Sequence, residues 1–379
     1  MQELKQGVFR LKAWPVLGIA FIQLILLLAH WFIFHTFVVF WSDLSPAAAH
    51  HLRMAMIVLS FSFFVAAMLG FRFNNVAVEL LYKASVVWLG LLNFLFWATC
   101  LAWPVDLALR LLRLLGYRHT LICTLFALAA ITAVYGIFNA RWVRVRRIRI
   151  KLERLPASWR GRTAVLLSDL HLGNVNQTGF CRRMVAMAAR LEPDIVFIPG
   201  DLFDGTPVDA DRMAQPLSQL TPPFGIFFVT GNHEEFGNPA HYIAALKHVG
   251  VRVLVNEKVV IDGLTVAGIP YHDSTFPTRV RTTLEGMAFK DSGASILLSH
   301  APTRLPVAAQ AGVSLQLSGH THGGQLFPFT WFTRWAFGKF TYGLQRIDGM
   351  QVYTTCGAGT WGPPLRVGTS PEIVLIRFE

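Results

Sequence analysis

Five short stretches of the chain carry side chains able to do chemistry together. "SDLHLG" (168–173) supplies Asp169 and His171, and "GDLFDG" (200–205) supplies Asp201, with Asp204 behind it. "GNHE" (231–234) supplies Asn232, His233 and Glu234. "SHAP" (299–302) supplies His300, and "SGHTHGGQL" (318–326) supplies His320 and His322. Asp169, His171, Asp201, Asn232, His300, His320 and His322 form a donor set of carboxylate, amide and imidazole, without thiolate. Such a set suits Mn²⁺, Fe or Zn²⁺ and is wrong for a structural zinc of the cysteine type. Seven donors are too many for one open catalytic ion and about right for two ions sharing a ligand. A carboxylate such as Asp201 could bridge ions ~3.5–4 Å apart, the spacing at which a metal pair holds both the attacking and the leaving oxygen of an in-line displacement. Two dications against two carboxylates leave net positive charge, which attracts a phosphate.

Each motif alone is weak, because Asp-x-His recurs by chance and Gly-Asn-His is usually a turn. Their setting makes them strong. Strand-like runs are expected at 163–169, 194–201, 225–232, 251–257, 264–270, 295–300, 315–320, 350–357 and 372–378, with helical stretches at 178–191, 208–219 and 239–248. The runs before Asp169 and Asp201 are apolar on both faces, as in strands covered on both sides. Later strands follow one another without helices, so the sheet is expected to be mixed. In open α/β sheets, sites collect at the carboxyl ends of strands. Asp-x-His and His-x-His each put both side chains on one face as a strand ends, because strand side chains alternate. Five runs ending in metal-competent residues therefore point to one location.

The other half of the chain reads differently. The protein has 379 residues, 53% hydrophobic and only 15% charged, where a quarter charged is usual. The excess apolar content lies in four segments, near 15–40, 54–71, 84–105 and 120–140, each long enough or nearly so to span a hydrocarbon core. The first is too long for a signal peptide and lacks a cleavage signature. The expected organisation is a transmembrane domain over 1–141 and a soluble α/β domain over 142–379. The net charge of +12 includes the run "RWVRVRRIRIK" (141–151), directly after the fourth segment. That placement favours membrane topology or lipid contact, and no nucleic-acid partner is expected. With four spans, Lys5, Arg10, Lys12, Arg72, Lys83 and the 141–151 run share one side, eleven basic residues against four on the other. The positive-inside rule then places both the N-terminus and the α/β domain in the cytoplasm, at a cell inner membrane. The stretch 106–118 reads as an amphipathic interfacial helix. His30, His35, His50 and His51 lie in or beside the spans and receive no role. Cys100, Cys123, Cys181 and Cys356 form no Cys-x-x-Cys pair and read as small buried hydrophobes.

Residues 150–379 resemble the calcineurin-like metallophosphoesterase superfamily in every motif quoted above and in their order, and the tail "GAGTWGPPLRVGTSPEIVLIRF" (357–378) resembles its bacterial membrane-anchored branch. The resemblance implies a four-layer α/β/β/α sandwich. It implies one ion on Asp169, His171, Asp201 and His322, a second on Asp201, Asn232, His300 and His320, and Asp201 bridging with a water or hydroxide. His233 would contact the phosphate and protonate the leaving oxygen, with Glu234 orienting it. Asp204 would stand behind the ligands, where the superfamily's phosphoprotein phosphatases have arginine, which argues against a protein phosphatase of that type. Arg366 is a candidate phosphate contact, with a surface arginine as its alternative. The aromatic stretch 327–343, with Trp331 and Trp335, is read as a loop able to meet an acyl chain or headgroup.

The expected function is hydrolysis of a phosphoester or pyrophosphate by a metal-bound hydroxide, with two divalent ions (Mn²⁺ favoured, Fe or Zn²⁺ otherwise). The lipid bilayer is a partner, and the substrate is expected to be lipid-linked, such as a glycolipid precursor resembling UDP-diacylglucosamine. The alternatives are a phosphodiesterase acting on a soluble nucleotide and a non-catalytic membrane sensor built on a phosphoesterase fold.

Overall fold

The structure, a computed structural model, describes residues 13–73, 75–289 and 293–379. Lys5, Arg10 and Lys12, used above for topology, lie outside the described residues. The chain divides into two compact units. One is Met1–Met68 with Trp88–Thr132, and the other is Leu69–Val87 with Ala133–Glu379.

Four helices are long and apolar enough to cross a membrane: α1 (Ala13–Phe40), α2 (Pro46–Arg72), α3 (Val76–Leu111) and α4 (Arg118–Arg141). In the first unit they leave apolar side chains such as Leu24, Leu28, Val58 and Val65 exposed. In water that would be costly, whereas hydrocarbon accepts it. Polar groups on the inner faces are paired across helices. Gln23 Nε2 donates to the Ser60 carbonyl (3.1 Å), and Trp103 Nε1 donates to Thr36 Oγ1 (2.9 Å). The interfacial helix expected at 106–118 does not form as a separate element. Residues through Leu111 continue α3, and a short 3₁₀ turn (Leu115–Tyr117) leads into α4. Asp106 explains the continuation: Arg110, one turn on, and Arg118 both reach its carboxylate, at 2.8 and 2.7 Å.

The second unit is built on two six-stranded sheets. The first runs in the order β1 (Arg144–Ile150), β12 (Glu372–Phe378), β2 (Thr163–Leu166), β3 (Ile195–Ile198), β4 (Ile226–Phe228) and β5 (Val251–Val253). The second runs β10 (Gly343–Ile347), β11 (Met350–Thr354), β9 (Leu315–Ser318), β8 (Ser295–Ser299), β7 (Leu264–Ile269) and β6 (Glu257–Ile261). Both are mixed. β2, β3, β4 and β5 run parallel, as do β7, β8, β9 and β11, whereas β12 opposes β2 and β10 opposes β11.

Alternation sorts the strand side chains into three cores. Leu166, Ile195 and Phe197 meet Val266, Leu298 and Leu317 between the sheets. On the opposite face of the first sheet, Val165, Val196 and Ile198 pack under α5 (Thr178–Ala189) and α7 (Ala240–His248). On the opposite face of the second, Ala267, Ile269 and Leu297 pack under α9 (Pro277–Met287) and α10 (Leu305–Ala311). The result is a four-layer α/β/β/α sandwich, and the strands that read as apolar on both faces are indeed covered on both.

Three features were not legible. β6 and β10 are edge strands with half-polar patterns, and the short helices α8 (Tyr271–Thr275), α9 and α10 stand between later strands that were expected to follow one another without helices. The basic run after α4 is strand β1, parallel to β12, in keeping with its alternating arginines. The aromatic stretch is not a loop: Phe329–Phe337 is a helix, α11.

Candidate metal centre

Five parallel strands deliver the chemistry within a few residues of their carboxyl ends. β2 leads to Asp169 and His171, β3 to Asp201, β4 to Asn232 and His233, β8 to His300, and β9 to His320 and His322. Backbone hydrogen bonds lace these ends together. Asp169 N donates to the Gly200 carbonyl (3.2 Å), His171 N to that of Asp201 (3.1 Å), and Gly319 N to that of His300 (2.8 Å).

The turns are tight. Asp169, His171, Asp201, His320 and His322 all have positive φ, between 49° and 70°. That conformation is unfavourable for L residues with side chains, and strain of this kind collects at functional sites. Two glycines permit the crowding. A Cβ on Gly319 would lie 2.1 Å from Asp169 Oδ2, and one on Gly231 would lie 2.1 Å from Asp201 Oδ1.

The donors converge in overlapping clusters: Asp169, His171 and His322; His171, Asp201 and His233; Asp201, His300 and His320. Asn232 joins the last, its Oδ1 lying 2.9 Å from His320 Nδ1 and 3.2 Å from His300 Nε2. All seven residues read as donors are thus brought together, and Asp201 and His171 each belong to two clusters.

The detailed geometry fits a cation. His171 Nε2 and His322 Nε2 face each other at 3.0 Å, and His300 Nε2 and His320 Nδ1 at 3.1 Å. Facing ring nitrogens share either a proton or a metal ion between them. Asp169 Oδ2 is buried without a hydrogen-bond partner, although charged oxygens are costly to bury unpaired. His300 Nδ1 donates to the Pro199 carbonyl (2.7 Å), which turns the Nε2 lone pair into the site, as orienting partners of metal-binding histidines do. Without an ion, the acidic pocket draws positive charge onto His300, the charge that a bound cation would replace. Burial opposes charge on His300, but the Asp201 carboxylate outweighs it and lifts the imidazole to about 9. Burial and His300 together push His320 down to about 3. The residues fit two divalent ions.

Comparison with known proteins adds the decisive observation. Residues 163–324 match the model of the calcineurin-like phosphoesterases. An uncharacterized metallophosphoesterase of Aquifex aeolicus is 34% identical over 66% of this chain and 98% of its own length. The chain belongs to the calcineurin-like phosphoesterase family. A metallophosphoesterase of Campylobacter jejuni is 29% identical over 85% of this chain and 89% of its own. A Danio rerio protein named as a transmembrane protein with a metallophosphoesterase domain is 34% identical over 70% of this chain, and the match spans 63% of that relative. This chain is accordingly a membrane protein, and the class of activity of its family is metal-dependent phosphoester hydrolysis.

In this phosphoesterase two residues do something other than expected. Glu234 does not touch His233. Its carboxylate is fully buried and accepts from the backbone N–H groups of Asp201 (3.0 Å), Gly231 (2.7 Å) and Phe203 (2.8 Å). It braces the turns that carry Asp201 and Asn232. Burial, reinforced by Asp201, raises its carboxyl to about 7. The residue that touches the His233 ring is Asp204, whose carbonyl accepts from His233 Nδ1 (3.0 Å) and whose Oδ1 lies 3.6 Å away. Arg366 is neither a surface residue nor open to a phosphate. It is fully buried, and its guanidinium donates to the carbonyls of Cys356 (2.6 Å), Gly359 (2.7 Å) and His322 (3.3 Å), with Nη2 3.1 Å from His322 Nδ1. It holds His322 from behind.

His233 sits at the edge of the cluster among aromatic rings. Phe236 lies 4.5 Å from its ring and Trp361 6.3 Å, and both are exposed. Sequence reasoning missed this rim, because Phe236 and Trp361 are brought together only by the fold.

Proposed function

We propose that this protein hydrolyses a phosphoester or pyrophosphate whose leaving group is lipid-linked, at the cytoplasmic face of a cell membrane. The carrying observation is the apolar rim of Phe236 and Trp361 beside His233 in a chain with four membrane-length helices. We further propose a transmembrane domain over 1–141 and a phosphoesterase domain over 142–379.

One ion would be held by Asp169, His171, Asp201 and His322, and the other by Asp201, Asn232, His300 and His320. Bound there, two dications would lower the pKa of a water and polarise the phosphoryl oxygens. The protein's own groups do the remainder. Asp204 fixes Nδ1–H of His233, so Nε2 is the ring position that carries a proton to the leaving oxygen. Burial and the neighbouring His171 lower the pKa of His233, which makes its protonated form a ready acid. Phe236 and Trp361 offer a surface to an apolar leaving group and shield the transfer from water.

The test is full-length protein with Mn²⁺, assayed against lipid-linked and nucleotide phosphoesters of matched leaving-group chemistry. Preference for the lipid-linked compounds is expected, and equal or better turnover of soluble nucleotides would overturn it. His233→Ala should lower kcat by roughly 10²–10⁴ with metal content unchanged. Reporters fused at each terminus test the cytoplasmic orientation.

A further inference from the structure

A second feature of the α/β unit lies apart from the metal-competent side chains. A cavity of about 900 Å³ opens between the start of β1, helix α11 and the segment after Gly368. No member of the seven-donor set lines it. Arg144, Arg146, Arg334 and Lys339 do, with Trp331 on its wall and Glu372 as the one carboxylate.

The charge in this cavity is unbalanced. Glu372 is buried and already accepts from Tyr342 Oη (2.8 Å), Tyr353 Oη (3.3 Å) and Thr355 Oγ1 (2.8 Å). None of the four cations forms an ion pair among the described residues. Arg146 instead lies over the Tyr342 ring (5.3 Å), and Lys339 donates to the Arg346 carbonyl (3.0 Å). Four positive charges in a concavity with a satisfied acid attract a polyanion.

Its position specifies the source. α4 ends at Arg141, three residues before Arg144. Asn139, in the last turn of α4, donates to the carbonyls of Arg366 and Thr369 and accepts from Arg144 at 2.9 Å. The cavity wall is therefore fastened to the point where the chain leaves its last membrane-length helix. α11 has no buried residue, and Trp335 is 86% exposed beside exposed Phe332 and Trp331. Exposed tryptophans next to arginine and lysine are the signature of a bilayer interface.

We propose that this cavity binds the phosphate-bearing headgroup of an anionic lipid, with the aromatic face of α11 seated among the acyl chains. The proposal rests on the membrane-length helices and the cavity, not on the hydrolytic reading.

Full-length protein in a neutral detergent is offered equal amounts of dihexanoyl-phosphatidylglycerol and dihexanoyl-phosphatidylcholine, and bound lipid is counted by native mass spectrometry. Wild type should favour the anionic lipid roughly tenfold, equivalent to about 1.4 kcal/mol. Arg334→Gln with Lys339→Gln should bring the ratio close to one while Mn²⁺-dependent hydrolysis of a soluble aryl phosphoester stays unchanged. Should that pair unfold, Lys339→Gln alone should still halve the preference or more. Equal retention of both lipids by wild type, or an unchanged ratio in the folded variant, overturns the proposal. So does displacement of the lipid by equimolar inorganic phosphate, which would make the cavity a site for a free anion.

Discussion

Two buried histidines, His30 in the helical unit and His300 in the α/β unit, look alike by burial, at 3% and 0% exposed. Their hydrogen bonds separate them. His30 Nδ1 donates to the Leu26 carbonyl (2.7 Å), and its Nε2 accepts from Trp88 Nε1 (2.9 Å). Both ring nitrogens are answered by single neutral partners, so the imidazole is complete as a structural group. His300 Nδ1 likewise has one neutral partner, the Pro199 carbonyl, but its Nε2 meets Asp201 Oδ2 at 3.1 Å, Asn232 Oδ1 at 3.2 Å and His320 Nδ1 at 3.1 Å. Three electron-rich atoms around one nitrogen describe a place for a cation. A buried histidine suggests function when one nitrogen is anchored and the other is over-supplied with acceptors.

The largest effect that would sharpen this contrast is at the carboxylate both halves of the cluster share. Asp201→Asn removes a charge and a bridging oxygen while keeping the shape. Hydrolysis of an aryl phosphodiester with Mn²⁺ should fall by roughly 10³-fold or more, equivalent to several kcal/mol of lost transition-state stabilisation. Bound metal, measured by elemental analysis, should fall below two ions per chain. Activity within tenfold of wild type would remove Asp201 from the centre.

Next in size is His300→Ala, which should lower activity by roughly 10²-fold and leave about one ion bound, because Asp169, His171 and His322 stand on the other side of Asp201. Two ions retained at normal affinity would mean that the open nitrogen is not a ligand, and the contrast with His30 would lose its meaning.

How much of this could be read from the sequence follows from how local each contact is. The convergence of the seven residues read as donors was legible because each sits within five residues of a strand end, and metal chemistry restricts the residue types that can stand there. The four-layer order was legible because apolar runs covered on both faces leave few other arrangements. Glu234 and Arg366 were misread for one shared reason. Glu234 reaches a backbone N–H 33 residues away, and Arg366 reaches His322 across 44 residues. Nothing in the neighbouring sequence records such partners. The aromatic helix α11 escaped because a nine-residue amphipathic helix with no buried residue has no core pattern to betray it. The cavity beside it was invisible too, since β1, α11 and Glu372 meet only in the fold.

Arg366 offers an intermediate test. Arg366→Lys keeps the positive charge but loses the fork that spans the carbonyls of Cys356, Gly359 and His322. Carbonyls left unanswered in a buried site cost about 1–3 kcal/mol each, so a clear fall in thermal stability is expected. Activity should fall by roughly 10- to 100-fold, the scale of losing a partner that orients a metal-binding histidine. Added Mn²⁺ should recover part of it, because the fault lies in holding His322. Recovery should be absent if Arg366 instead met the phosphate directly.

The smallest effect is expected at His30, and it is the control for the whole comparison. His30→Ala deletes the acceptor of Trp88 Nε1 and the donor to the Leu26 carbonyl. In a membrane-embedded helix pair such a bond is worth about 1 kcal/mol, since the separated helices find other partners. Thermal unfolding in detergent should shift down by a few degrees, and Mn²⁺-dependent hydrolysis should stay within twofold of wild type. The reasoning is symmetrical with that for His300: a ring with both nitrogens answered has no lone pair to give a metal and no proton to give a substrate. A folded His30→Ala protein that had lost tenfold in hydrolysis would show that a fully satisfied histidine can still serve the reaction, and the hydrogen-bond criterion would fail where it is applied most simply.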